Sequence, residues 1–281
     1  MMQWCFGTST AILERSDARM TQPHPEGDSY REAFAWPRGI RAAVSLTFDD
    51  ARSSQITTGL PILDRFGIRA TFYVSLDNLT RRLDEWRAAA ASGHEIGNHT
   101  SSHPCSRGLY APQTVCLESF TLATIEADIV SANAALESLL GRRPVSFAYP
   151  CGQTYVGEGE SRRSYKPVVA RHFMTGRGFP QSRHNDPATL IPEYLLSRDL
   201  DNATAEQAVS YLRDAVDRSG WLIFTGHEVG DGSNRQTVGR DTLETLLRVA
   251  SEAGGILFGT VEAISTYILA NRPSQQPGFV A

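Results

Sequence analysis

Apolar residues in this chain gather in short runs that alternate with stretches of helical spacing. Ala42-Ala43-Val44-Ser45-Leu46-Thr47-Phe48 has strand length and strand residue types, and it ends on Asp49-Asp50. Ile56 to Phe66 spaces its apolar side chains helically, with Gly67 as a stop, and Ala70 to Val74 predicts a second strand. Thr80 is expected to cap a helix reaching about Ser92, where Gly93 ends it and a third strand follows. A long amphipathic helix is predicted over Leu117–Leu140, closed by Gly141, then a strand over Val145–Pro150. Residues 152–187 hold many Gly, Arg and Ser and only a short apolar piece at Val168–Phe173, which predicts a variable region with weak secondary structure. Regular alternation then resumes: strand Tyr194–Ser197, helix Ala205–Arg218, strand Trp221–Thr225, helix Arg240–Ala253, strand Ile256–Gly259, helix Val261–Ala270.

Strands alternating with helices argue a parallel sheet covered by helices, and about seven such pairs suit a closed or nearly closed, distorted (β/α) barrel. No linker interrupts residues 37–272, so one α/β domain is expected there. Residues 1–36, polar and aperiodic with Pro23, Pro25 and Gly27, read as a flexible arm in which Met20 is a second candidate start; residues 273–281 read as a tail.

Composition narrows the partners. Hydrophobic residues at 41%, charged residues at 21% and a net charge of -4 fit a soluble globular protein without the basic footprint of a nucleic-acid binder. No apolar run reaches the roughly 18 residues of a membrane span, and the N-terminus lacks a basic segment followed by an apolar one, so a cytoplasmic location is the expectation. Cys5, Cys105, Cys116 and Cys151 show no C-x-x-C spacing; reduced thiols are expected, with a Cys105–Cys116 bridge as the alternative.

The candidate chemistry lies just past strand ends, where a β/α barrel builds its sites. His99 and His103 stand four apart, so one helical turn would bring both imidazoles to one ion. Asp49 and Asp50 can share a site only if the strand has already ended between them, since adjacent strand residues face opposite sides. Otherwise Asp50 is simply a turn residue capping the next helix. Two imidazoles and one carboxylate form a ligand set for zinc that leaves a position open for water. A second carboxylate, Asp49, could then take the proton of the attacking water, and His227 could protonate a leaving amine.

Thr47-Phe48-Asp49-Asp50, Gly93-His94-Glu95-Ile96-Gly97-Asn98-His99-Thr100-Ser101-Ser102-His103-Pro104 and Gly226-His227 resemble the first, second and fifth motifs of the polysaccharide deacetylases, carbohydrate esterase family 4 or the NodB-homology domain. The resemblance runs from about Arg41 to Tyr267 and implies a distorted (β/α) barrel that removes acetyl groups from N- or O-acetylated sugars. It implies Asp50, His99 and His103 as ligands of a divalent metal, zinc first and cobalt, nickel or manganese as alternatives, with Asp49 as base and His227 as acid. Where the third motif commonly carries an arginine that braces the base, this chain reads Phe147-Ala148-Tyr149-Pro150-Cys151-Gly152, which leaves Arg52, Arg171 or Arg177 to supply the charge. The same turn implies Tyr149 and the backbone amide of Cys151 as substrate and oxyanion contacts. Of the two acids in Arg198-Asp199-Leu200-Asp201, Asp199 is the expected partner that orients His227.

The expected function is therefore a metal-dependent hydrolase acting on an acetylated glycan or oligosaccharide. Two alternatives stand beside it: hydrolysis of a small non-sugar amide or cyclic ureide on the same barrel, and a non-catalytic carbohydrate-binding relative.

Overall fold

The computed structural model describes residues 34–109, 115–180, 183–232 and 235–272. The proposed tail and nearly all of the proposed arm lie outside these residues. Seven parallel strands close into a barrel: β1 (Ala42–Asp49), β2 (Thr71–Val74), β3 (Glu95–Asn98), β4 (Ser146–Ala148), β5 (Thr175–Pro180), β6 (Leu195–Asp199) and β7 (Trp221–Gly226). The seam is the pairing of β7 with β1, from Ala43↔Trp221 to Phe48↔Gly226. An eighth strand, β8 (Ile256–Phe258), pairs with the first half of β1, while β2 takes the second half from Thr47↔Thr71 onward. This wedge on one edge of β1 makes the barrel irregular.

All eight residues of β1 are buried, as expected of a strand with neighbours on both edges and side chains on both faces covered. Burying each large apolar side chain contributes about 1.5–3 kcal/mol, so a run such as Val44, Leu46 and Phe48 fixes this strand at the centre of the domain. Close approach also shapes the third strand. A Cβ on Gly97 would stand 2.4 Å from Cδ1 of Tyr73, so only glycine lets β3 lie against β2 with that ring between them.

Helices cover the outside. The helix Leu122–Leu140 starts at Thr121, whose side chain accepts from the Thr124 amide in a capping box, and ends at Gly141 with φ 74°. Its buried apolar positions, Ile125, Ile129, Ala132 and Leu136, repeat at helical spacing. The helix Ala205–Asp217 is capped in the same way by Thr204 and Gln207. Thr80 does not cap a helix as expected: it ends a short helix, Leu76–Thr80, and a separate helix covers Leu83–Ala91.

The stretch expected to be variable, residues 152–187, carries a helix (Lys166–His172) and the whole of β5. Thr175-Gly176-Arg177-Gly178-Phe179-Pro180 escapes a search for apolar runs because its inward position holds an arginine, flanked by glycines that admit neighbouring side chains. A Cβ on Gly178 would meet the Tyr194 ring at 2.4 Å.

Cys105 and Cys151 form a disulfide across 46 residues, with Cα atoms 5.9 Å apart. The expectation of reduced thiols fails for this pair. The Cys105–Cys116 alternative fails as well: those two residues meet in a backbone β-bridge, while the turn after β4 brings Cys151 to the Cys105 sulfur. Among the described residues no helix is long and apolar enough to cross a membrane.

Candidate active site and metal centre

The C-terminal ends of six of the seven strands line a cavity of about 340 Å³ with Asp49, Asp50, His99, His103, Arg177 and His227, among others. A larger cavity of about 950 Å³ lies around His184, Arg198 and Asp214 and contains none of these residues. Volume therefore does not locate the chemistry; convergence of polar groups does.

The two acids share the site because the strand ends between them. Asp49 is the last residue of β1, while Asp50 and Ala51 have φ of 72° and 54°, in the left-handed region that breaks the pleat. Hydrogen bonds from Ser75 Oγ and Asn78 Nδ2 to the Asp50 carbonyl, at 3.0 and 2.9 Å, hold that turn. His99 follows β3 directly. Its Nδ1 faces the Ala148 carbonyl at 2.9 Å, which fixes the proton on Nδ1 and leaves the lone pair of Nε2 facing the cavity. His103, with φ 48°, is turned back by a bond from its amide to Thr100 Oγ1.

Three donor atoms result. His99 Nε2 and His103 Nε2 are 3.2 Å apart, and Asp50 Oδ1 lies 3.7 and 3.5 Å from them. Tetrahedral ligands about 2.0–2.1 Å from zinc stand about 3.3 Å from one another, so this triangle fits a divalent cation without rearrangement. The other Asp50 oxygen, Oδ2, accepts from Arg52 Nη2 at 2.9 Å. Arg52 thus braces Asp50 and not Asp49. Burial alone would raise the Asp50 carboxyl, but His99, His103 and Arg52 bring it down to about 2. Burial pushes His99 down to about 4, so its imidazole is neutral, as a ligand must be.

Asp49 is buried, and one guanidinium nitrogen of Arg177, Nη2, lies 2.5 Å from each of its oxygens. Burial raises this carboxyl; Arg177, with His99 and His227 behind it, outweighs burial and holds it below the ordinary range. Of the three arginines left open by the sequence, Arg177 reaches Asp49, Arg52 reaches Asp50, and Arg171 pairs with Glu126 on the surface.

His227 follows β7. Its Nδ1 is 2.6 Å from Asp201 Oδ2, and its amide donates to Asp201 Oδ1 at 3.0 Å. Asp199, the expected partner, ends β6 and instead accepts from the Asp201 amide at 3.0 Å. The correction has a simple cause: the chain must leave the strand before an acid can turn toward β7, and only Asp201 lies in that turn. Burial works against a charged His227, but the bond to Asp201 and the nearby Asp49 and Asp50 outweigh it and raise its pKa. Gln55, which sequence reasoning did not single out, donates to the carbonyls of both Asp49 and His227, at 2.6 and 2.9 Å, and ties the two sides of the site together.

Tyr149 and Cys151 both line the cavity. The Tyr149 hydroxyl is already committed to the Glu193 carbonyl at 2.7 Å and its side chain is buried, so it offers no hydroxyl to a substrate. Cys151 has φ 54° in a turn closed by the Gly152 and Gln153 amides on Tyr149 O and Pro150 O. Gly152, at φ 65°, packs so tightly that a Cβ would overlap Cβ of Phe179.

Residues 38–161 match the family model for polysaccharide deacetylases. Over this segment the chain is similar to the polysaccharide deacetylase family. The matched segment contains both acids, both histidines and Cys151; Arg177, Asp201 and His227 lie beyond it. The chain is similar to the peptidoglycan-N-acetylglucosamine deacetylase of Bacillus cereus, at 37% identity over 93 residues, which is 33% of this chain and 34% of that protein. Its matches span between 5% and 34% of the length of the curated relatives compared. Among solved structures it superposes on a provisionally assigned polysaccharide deacetylase from Mycobacterium smegmatis with TM-score 0.60 and 19% identity, covering 87% of this chain and 98% of that one. It also superposes on a family 4 acetyl xylan esterase from Clostridium thermocellum in complex with a cobalt ion, with TM-score 0.54, 22% identity, and 82% and 93% of the two chains. At these identities the structural likenesses establish the barrel.

Proposed function

We propose that this chain is a polysaccharide deacetylase that hydrolyses the acetamido group of an N-acetylated sugar in a glycan or oligosaccharide. The observation that carries this reading is a pair of groups in the same cavity as the Asp50–His99–His103 triangle: a buried carboxylate whose proton affinity Arg177 lowers, and an imidazole whose proton affinity Asp201 raises. Two titratable groups whose surroundings push their proton affinities apart are the usual signature of a base and an acid in one site. The similarity to a deacetylase of peptidoglycan N-acetylglucosamine in Bacillus cereus supports an acetamido sugar as the substrate class.

Asp50, His99 and His103 would hold a divalent cation, zinc first. When bound, such a cation supplies Lewis-acid polarisation of the acetyl carbonyl and lowers the pKa of water beside it. Asp49 accepts a proton from the attacking water, and Arg177 keeps that carboxylate oriented and unprotonated beforehand. The Cys151 amide, in its left-handed turn at the cavity wall, would donate to the developing oxyanion, a contact worth about 2.7–4 kcal/mol where it has been removed elsewhere. His227 delivers a proton to the departing amine, and Asp201 stabilises the imidazolium before that transfer.

A panel assay tests the reading: acetate release from N-acetylated chitooligosaccharides and from peptidoglycan fragments, before and after chelation and after re-addition of zinc or cobalt. Release that vanishes with chelator and returns with metal is expected. Absence of acetate from every acetylated sugar in metal-loaded protein would remove it, and turnover of a small cyclic amide in its place would favour the ureide reading.

A further inference from the structure

His103 belongs to two groups of ligand-type atoms. One joins it to Asp50 and His99; the other joins it to Cys105 and Cys151, and in each group the atoms lie within 4.8 Å of one another. The two faces of its ring divide between them. Nε2 is 3.2 Å from His99 Nε2, whereas Nδ1 is 3.9 Å from Cys105 Sγ. With the sulfurs joined as a disulfide, the second group offers no thiolate, and thiolate is the form of sulfur that binds metal.

We infer that reduction of the Cys105–Cys151 disulfide opens a second metal site, made of the two cysteine thiolates and His103 Nδ1, for a thiophilic divalent cation such as zinc or cadmium. Thiolate and imidazole are the preferred ligands of these ions, and two cysteines with one histidine are a complete protein set for a four-coordinate ion that keeps one position for water. One imidazole serves one cation well, because metal on the second nitrogen requires the ring to give up its remaining proton. The sulfur site therefore competes with the Asp50–His99 pair for His103. Cys105 is buried, but Cys151 is only partly so and lines the active-site cavity, so a small reductant can reach the Cys151 sulfur through the cleft.

The chemistry balances with a dithiol as the reductant. It attacks the Cys151 sulfur, the S–S bond breaks, two electrons and two protons pass to the cysteines, and the dithiol closes to its own disulfide. Entry of the cation then releases the two thiol protons to solvent.

The sulfur site stands independently of the deacetylase reading; only its effect on turnover rests on that reading. The test uses cobalt(II) as the probe on the full chain, once oxidised by glutathione disulfide and once reduced by dithiothreitol and desalted. Reduced protein is expected to gain an intense sulfur-to-cobalt charge-transfer absorption that oxidised protein lacks. The band should vanish in Cys105→Ser and in Cys151→Ser and persist in Cys116→Ser, so that if one variant fails to fold the other still decides. Acetate release by the zinc-loaded wild type should fall about tenfold or more on reduction and recover on reoxidation. No charge-transfer band in protein whose Cys105 and Cys151 both react with a thiol reagent would overturn the inference, as would a band that survives Cys105→Ser. A band accompanied by no acetate release in either redox state would uphold the sulfur site and count against the deacetylase.

Discussion

Arg177 Nη2 lies 2.5 Å from both oxygens of Asp49, although 128 residues separate the two in sequence. Arg177 comes from β5, where it pairs in register with Ala148 of β4. The guanidinium also sits over the Tyr73 ring, 5.2 Å from its centroid, so the ion pair is enclosed by the barrel wall. Breaking a buried pair by removing one partner typically costs about 3–5 kcal/mol, because the remaining charge is left uncompensated. Arg177→Gln should therefore lower stability by about that much in urea unfolding and abolish turnover at neutral pH. The double variant Asp49→Asn/Arg177→Gln should be more stable than Arg177→Gln alone. Additive losses in the cycle would mean the pair is not coupled.

Asp201 and Asp199 compete for one role, and pH profiles separate them. The bond from Asp201 raises the His227 pKa above its ordinary value, against the effect of burial. A histidine that must be protonated to act gives a rate that falls on the alkaline side as pH passes that raised value. Asp201→Asn should move the alkaline limb of kcat/KM to lower pH, whereas Asp199→Asn should leave the limb in place. A shift with Asp199→Asn instead would restore the acid expected from the sequence.

His94 carries a separate, structural pH dependence. Its side chain is fully buried, and Nδ1 accepts the Ala70 amide at 3.1 Å, which only an unprotonated nitrogen can do. Burial lowers its pKa from 6.5 to about 4. The folded state thus binds fewer protons than the unfolded one between these values, so the stabilising term is intact above about pH 6.5 and is lost as pH falls toward 4. At pH 5 the loss is about 2 kcal/mol relative to pH 7. His94→Asn keeps an acceptor at the Nδ1 position and removes the titration, so its urea midpoint should fall less between pH 7 and pH 5 than that of the wild type. Equal falls would assign the acid sensitivity to other groups.

Much of the barrel is legible in the sequence, because β1, β2, β4 and β7 are buried runs of apolar residues bounded by helices with clear stops. The acid pair and the two histidines are legible as well, since both sit at strand ends and within a few residues of one another. β5 is not, because it presents an arginine and two glycines where an apolar period is sought; Gly-Arg-Gly beside a helix is itself the trace of a strand packed tightly around an inward charge. Sequence does not separate Asp201 from Asp199, because the strand ends at Asp199, a boundary of one or two residues that hydropathy does not resolve. The disulfide joins residues 46 apart because β3 and β4, which precede them, lie side by side, an adjacency no spacing rule anticipates.

The central claim is that Asp49 moves protons while Asp50, His99 and His103 hold the metal. The most direct test measures zinc content and acetate release together in Asp49→Asn and His99→Ala. The account predicts that Asp49→Asn keeps its zinc and loses turnover by about 10²–10⁴-fold, whereas His99→Ala loses both. Zinc lost from Asp49→Asn with His99→Ala still loaded, or acetate released at the wild-type rate by either variant, would contradict it.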